Sequence, residues 1–250
     1  MADTAILRPG AVALVVGASA GIGAATARAL AREGARVVCA SRDKSRLDGL
    51  VAELGAGAYA LDLDVTDPAS AAGLVARLPE DLRAVDILIA CAGHDIGGRQ
   101  RLDLGDVEDW ASIIETNVTG VIRVCHAVIP GMLERGRGHV VTLGSTAGLK
   151  TYPGGTVYNA SKFAVRGFTD ALRGDYKDTD LRISEILPGL TRTEFAARRF
   201  RGDDAKGDAY YDSFPAALDA DDIARAIVYA VSQPGHVTVA QMVVVPTREA

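Results

Sequence analysis

The sequence predicts an α/β fold: a three-layer, doubly wound arrangement with helices on both faces of a parallel sheet of about seven strands. Three observations predict it. Short β-branched apolar runs alternate with longer helix-like runs along the 250 residues. Several of the short runs are apolar at nearly every position, as strands covered on both faces are. The joints between runs are short, so each strand returns through a helix to a neighbour running the same way. Right-handed crossovers then align the C-terminal ends of the strands along one edge, beside the crevice where such folds bind ligands.

The strands are read at 11–17 (AVALVVG), 35–40 (ARVVCA), 58–63 (AYALDL), 85–91 (VDILIAC), 138–144 (GHVVTLG), 181–187 (LRISEIL) and 237–245 (VTVAQMVVV). Helices are read at about 22–33, 43–54, 67–78, 106–134, 157–177 and 220–232. The first ends at Glu33-Gly34, with Gly34 as its C-terminal cap. The last opens DADDIARAIVYAV from Asp219, with acidic residues in its first turn and apolar residues recurring behind them. The stretch 191–216 breaks the rhythm: it is polar, charged and partly amphipathic. It reads as a lid over the crevice (about 190–216), with a solvated surface insertion as the alternative. No linker, repeat or composition break divides the chain, so one domain over 1–250 is expected.

The totals are those of an ordinary globular chain, 48% hydrophobic and 24% charged. A net charge of −5 offers no basic footprint for nucleic acid. Cys39, Cys91 and Cys125 sit in apolar stretches and read as small buried hydrophobes in a reducing compartment. Neither they nor the four scattered histidines show metal-ligand spacing, so no metal is expected. No cationic start with an apolar segment behind it is found at the N-terminus, and no apolar run is read as a membrane span, so a cytoplasmic location is expected.

The turn after the first strand, VVGASAGIGAATARAL at 15–30, holds Gly17, Gly21 and Gly23. The first glycine suits a tight turn, the second admits a pyrophosphate against the backbone, and the third lets helix and strand pack closely. The helix N-terminus then offers unpaired N–H groups to phosphates. The second strand ends at Ser41-Arg42, where an NAD site would carry a carboxylate for the ribose 2′-hydroxyl. Arg42 instead suits a 2′-phosphate, so NADP is the expected cofactor; Asp43 is placed to neutralise it in part. After the third strand, Asp64 is read as an acceptor for the adenine amino group and Val65 as a contact for its ring. Asp62 and Asp67 read as surface or cap residues.

YNASK places Tyr158 and Lys162 one helical turn apart, Ser145 ends the strand VVTLGS, and Asn117 lies in the helical stretch ETNVTG. With GASAGIG at 17–23, DVTD at 64–67, CAG at 91–93, NVTG at 117–120 and PG at 188–189, nearly the whole chain resembles the short-chain dehydrogenase/reductase family. The resemblance implies a Rossmann-like fold, hydride transfer between a nicotinamide and an alcohol or carbonyl, and a homotetramer or homodimer. Trp110 and the 106–134 stretch are expected at the interface. The resemblance also implies roles: Tyr158 as acid/base, Lys162 as its activator and ribose ligand, Ser145 as the donor that orients the carbonyl, Asn117 as the anchor of a water relay to Lys162. Cofactor contacts are expected at Gly17, Ser19, Gly21, Ile22, Gly23, Ser41, Arg42, Asp64 and Val65. Further along they are expected at Ala92, Gly93, Tyr158, Lys162, Pro188, Gly189, Thr191 and Thr193. Ala90-Cys91-Ala92-Gly93 departs from the Asn-Asn-Ala-Gly usual in the family, which points to altered sheet packing. The ending HVTVAQMVVVPT and LPGLTRTEF at 187–195 resemble the branch of NADP-dependent serine and 3-hydroxy acid dehydrogenases and clavulanate aldehyde reductase.

The chemistry sets its own requirement. A free phenol has a pKa of about 10, and lowering it by about three units takes about 4 kcal/mol. A cation about 4 Å away at an effective dielectric of about 20 supplies that amount. The substrate pocket is expected from His94, Thr146, Lys150, Tyr152 and Arg192, with Arg198, Arg199 and Arg201 as further cations in the same segments. A cation there suits a carboxylate or sulfonate, which makes a small hydroxy-acid-like alcohol or carbonyl the expected substrate. The competing reading pairs the lid arginines with Glu194, Asp203 and Asp204 in water. Two other functions are weighed: a 3-oxoacyl-carrier-protein reductase, and a non-catalytic NADP-binding regulator. Arg42→Ala is expected to weaken NADPH binding about tenfold or more while sparing NADH. Fluorescence titration of the two nucleotides checks this, and an unchanged preference would move the discrimination to another residue.

Overall fold

All seven long strands form and pair in parallel. In the computed structural model, which describes residues 5–248, β1 (Val12–Val16) leads to α1 (Gly21–Arg32), β2 (Arg36–Ser41), α2 (Lys44–Leu54), β3 (Ala58–Asp62) and α3 (Pro68–Ala72). β4 (Ile87–Ala90), α4 (Val107–Ile114), α5 (Gly120–Glu134), β5 (Gly138–Leu143), α6 (Thr156–Asp175) and β6 (Leu181–Pro188) follow. The remainder comprises β7 (Thr191–Arg192), α7 (Phe195–Arg199), α8 (Asp204–Asp212), β8 (Leu218–Asp219), α9 (Ala220–Val231) and β9 (Gln241–Val244). The main sheet runs β3-β2-β1-β4-β5-β6-β9, so strand order reverses between β1 and β4. That reversal opens the crevice at the strand C-terminal ends.

Alternation within β1 shows how the layers divide. Val12, Leu14 and Val16 point into one core, with Leu88, Val124, Met132 and Leu172. Ala13 and Val15 point into the other, with Leu30, Leu47, Ile223 and Ile227. Both faces are covered, which is why the strands read as continuous apolar runs.

Several boundaries differ from the sequence reading, each for a local reason. The helix expected over 67–78 stops at Gly73, whose N–H bonds the Ala69 carbonyl, and single turns follow. The strand expected over 237–245 begins only at Gln241. Before it, the Arg182 guanidinium donates to the carbonyls of Gln233, Pro234 and Val237 and holds that stretch as a loop. The helix expected over 106–134 is interrupted by a π turn at Glu115–Thr119, which contains Asn117. This helical run, Val107–Glu134, is long and apolar enough to cross a bilayer, contrary to the sequence reading; half of its apolar window is buried, with Val124, Val128 and Met132 in the core. The stretch 191–216 holds two short helices, α7 and α8, and β7 pairs with β8 to tie it to the start of α9. Cys39 and Cys125 are buried as expected, but Cys91 is only partly so and lines the crevice.

At Gly23 two backbone segments touch: a Cβ there would lie 2.2 Å from the Gly17 carbonyl oxygen. Gly23→Ala is therefore expected to cost at least about 2 kcal/mol. Gly49 in α2 has open space at its Cβ position, and Gly49→Ala is expected to stabilise by about 0.8 kcal/mol. Urea unfolding of the two variants checks both signs.

Candidate active site

The crevice is a cleft of about 1420 Å³ running from the end of β2, across the β1–α1 turn, to the segment 191–214. At its centre Gly17 turns the chain with φ +90°, in the left-handed region that favours glycine. A Cβ at Gly17 would lie 2.8 Å from the Ala92 nitrogen, so the turn is pressed against the end of β4. Gly21 has φ +51°, and its Cβ position faces Thr193 at 3.1 Å. What crowds the second glycine is thus the segment after β6. No side chain caps the N-terminus of α1 at Ala20. The first-turn amides of α1 are left with no intrahelical acceptor and line the cleft through Gly21, Ile22 and Gly23.

Most of the expected cofactor positions share this wall: Ser19, Ser41, Arg42, Val65, Ala92, Gly93, Pro188, Gly189, Thr191 and Thr193. Asp64 does not. Its Oδ1 accepts from the Thr66 N–H at 2.9 Å and the Thr66 hydroxyl at 2.7 Å, and Leu63, Val65 and Thr66 line the cleft around it. Arg42 is exposed at the rim and makes no hydrogen bond or ion pair among the described residues. Asp43 does not neutralise it by contact: Asp43 caps α2 through the Arg46 N–H and pairs with the Arg46 guanidinium at 3.3 Å.

At the other end, β5 delivers Ser145 and α6 delivers Tyr158 and Lys162. Ser145 caps a single 3₁₀ turn, its Oγ accepting from the Ala147 N–H at 3.1 Å. Gly148 in that turn packs on α6, with no room for a Cβ beside the Lys162 carbonyl at 2.7 Å. Lys162 is buried and donates to the Leu143 carbonyl at 2.8 Å, with its Nζ 5.8 Å from the Tyr158 ring centroid. Burial drives the Tyr158 phenol above its ordinary range; Tyr152 and Asp95 add to this, while Ser145 and Arg199 oppose it. Burial also pushes the Lys162 amine down to about 8. In the protein alone, desolvation thus opposes both ions of the pair.

Asn117 is buried behind Gly93 rather than in the cleft wall. Its Oδ1 accepts from the His94 N–H at 2.9 Å, and its Nδ2 donates to the His94 carbonyl at 2.9 Å and the Ser161 hydroxyl at 3.1 Å. Its side chain clamps the loop after β4, and both Nδ2 hydrogens are used in doing so. His94 lines the cleft, its Nε2 3.1 Å from the Thr116 hydroxyl, and burial lowers its pKa.

Thr146 and Tyr152 line the cleft; Lys150 and Arg192 do not. Arg192 is tied at the surface to Asp208 and Asp212. Other charges of 191–216 find partners different from those expected: Glu194 pairs with Arg46, Arg201 with Asp109, and Asp203 with Lys206. One pair was not legible in the sequence. Arg199 of α7 and Asp95 after β4 meet at 2.8 Å, with side chains only 6% and 5% exposed. Nothing in CAGHDIGG or EFAARRF marks these two, 104 positions apart, as partners. Arg99 lies 4.2 Å above the Tyr152 ring and donates to the Tyr210 hydroxyl at 2.9 Å.

Comparison with known proteins agrees with this geometry. Residues 11–204 match the short chain dehydrogenase family. The NADP-dependent 3-hydroxy acid dehydrogenase YdfG of Salmonella typhi is 39% identical over 95% of this chain and 96% of its own. Sulfoacetaldehyde reductase 2 of Chromohalobacter salexigens is 39% identical over 96% of this chain and 95% of its own. The closed form of a serine dehydrogenase complexed with NADP+ superposes with a TM-score of 0.90 at 38% identity, covering 93% of this chain and 94% of that one.

Asp95→Ala would leave the Arg199 charge buried without its counter-ion. It is expected to destabilise the protein by about 3 to 5 kcal/mol, read by chemical denaturation. A change below about 1 kcal/mol would mean that water takes the place of the carboxylate.

Proposed function

The chain belongs to the short-chain dehydrogenase/reductase family as an NADP-dependent oxidoreductase of CH–OH groups, and we propose that it interconverts a small, polar, hydroxy-acid-like alcohol and its carbonyl with Tyr158 as acid/base. The observation that carries the reading is one continuous cleft. It runs from an exposed Arg42 and an uncapped helix N-terminus to a Ser145, Tyr158 and Lys162 cluster. The donors present fit NADP(H): amides of the α1 first turn for the pyrophosphate, Ser41 and Arg42 for the 2′-phosphate, Lys162 for the ribose beside the nicotinamide. Bound NADPH supplies the hydride.

The side chains do the rest. In carbonyl reduction the Tyr158 hydroxyl donates its proton to the carbonyl oxygen as that oxygen gains charge. Ser145 donates a hydrogen bond to the same oxygen. Lys162 limits the cost of the phenolate that remains. Because burial raises the Tyr158 pKa, the phenol is protonated at neutral pH and ready for reduction. Oxidation needs the phenolate and so gains with rising pH. The segment 190–216 acts as the lid of the site. The apolar surface around Leu102, Leu104 and Val107 supports a homo-oligomer, in which α4 contributes to the interface.

NADPH oxidation on a panel of small aldehydes, keto acids and ketones tests the reading. Tyr158→Phe is expected to lower kcat at least about a hundredfold while NADPH binding persists. Wild-type alcohol oxidation is expected to rise between about pH 7 and 10 while carbonyl reduction stays level or falls. NADPH binding without turnover on any carbonyl would leave a binding protein instead.

A further inference from the structure

A guanidinium lines the cleft near its chemical end. Arg199 is 5% exposed, and its Nε donates to Asp95 Oδ2 at 2.8 Å. Its Nη1 is enclosed and has no hydrogen-bond partner among the described residues. Enclosed charged donors are costly to leave unpaired, and native proteins seldom do so without a use for them. Arg199 lines the cleft beside Tyr152, Phe195 and Tyr210. Its guanidinium carbon lies 4.6 Å from the Tyr210 ring centroid, and that of Arg99 lies 5.3 Å from the same ring.

Charge counting sharpens the picture. Two guanidinium groups flank Tyr210, and Asp95 pairs with that of Arg199. Asp109 is taken by Arg201. The wall therefore carries one positive charge in excess, in a place shielded by aromatic rings, where a charge acts more strongly than in water. Its distance from the chemistry is bounded as well. The Phe195 ring centroid lies 5.7 Å from the Tyr158 ring centroid and 5.7 Å from the Arg199 guanidinium carbon. Twice that distance limits the separation of the two groups, so only a short chain can join a carbonyl at Tyr158 to an anion at Arg199.

We infer that Arg199, aimed by Asp95 and assisted by Arg99, is the specificity-determining residue for a single carboxylate or sulfonate at the far end of a short substrate. This rests on the oxidoreductase reading above and replaces Arg192, which is committed at the surface to Asp208 and Asp212. Asp95 is a positioning residue. It holds the Nε edge, and its charge offsets one of the two guanidinium groups, so that the wall suits one negative charge.

The test compares 3-hydroxypropanoate and 2-hydroxyethanesulfonate with uncharged propane-1,3-diol, oxidised with NADP+. Removing Arg199 alone risks misfolding, so the double variant Asp95→Asn/Arg199→Gln, which removes both charges together, is used beside Arg199→Lys. NADPH titration serves as the folding control. The KM for the two anions is expected to rise about 30-fold in the double variant while the values for the diol stay within about twofold. Asp95→Asn alone keeps an acceptor for Nε and is expected to lower KM for the anions several-fold while KM for the diol stays within about twofold. Equal effects on charged and uncharged substrates would overturn the inference and leave the pair a structural brace. Wild-type turnover of the diol with no preference for either anion would also overturn it. Wild-type protein that binds NADPH but oxidises none of the three, and reduces none of the carbonyl panel, would instead sink the oxidoreductase reading beneath it.

Discussion

The contact between Gly23 and the Gly17 carbonyl is the constraint on which the rest of the molecule depends. At that point α1 lies closer to the end of β1 than any side chain would allow. The approach aims the free amides of α1 across the carboxyl edge of the sheet. It also brings Gly17 against Ala92, so that the turns after β1 and β4 form one wall. The reversal of strand order between those strands then leaves the cleft open above them. Cofactor arm and chemical end are two sides of one packing decision.

Electrostatics at the chemical end follow from burial more than from pairing. A lysine near a tyrosine is an attractive interaction, about 3 kcal/mol for unit charges 5.8 Å apart at a dielectric of about 20. The same enclosure that strengthens it penalises both ions. In the protein alone the penalty wins on both sides: the phenol is held protonated and the amine is lowered to about 8. Lys162 meets that burial by donating to the Leu143 carbonyl at the end of β5, which also fixes its position under Tyr158.

The segment 191–216 is held by two kinds of ion pair, and they do not weigh equally. Arg46–Glu194 and Arg192 with its two aspartates are about half exposed, and such pairs contribute at most about 1 kcal/mol each. Asp95–Arg199 is enclosed on both sides, so breaking it strands a charge. One buried pair thus fixes α7 to the loop after β4, while the outer part of the segment is held loosely. The Asn117 clamp on His94 steadies the same loop from beneath, through a π turn that helical periodicity does not reveal.

The sequence by itself determined the doubly wound sheet, because period and composition are local and survive without knowledge of contacts. It also determined the glycine turn, where three residues without side chains announce a close approach, and the one-turn spacing of Tyr158 and Lys162. Even the cap at Gly34, with φ +83°, was legible, since only backbone geometry was at stake. Tertiary structure alone decided what the charges do. Asp64 turned to Thr66, Asp43 to Arg46 and Arg192 to the surface, while Arg199 found Asp95 104 positions away. Such choices depend on distance in space and on burial, which reverses the value of a charge. A linear pattern carries neither quantity, so it could not show which arginine of 191–216 lines the cleft and which stays at the surface.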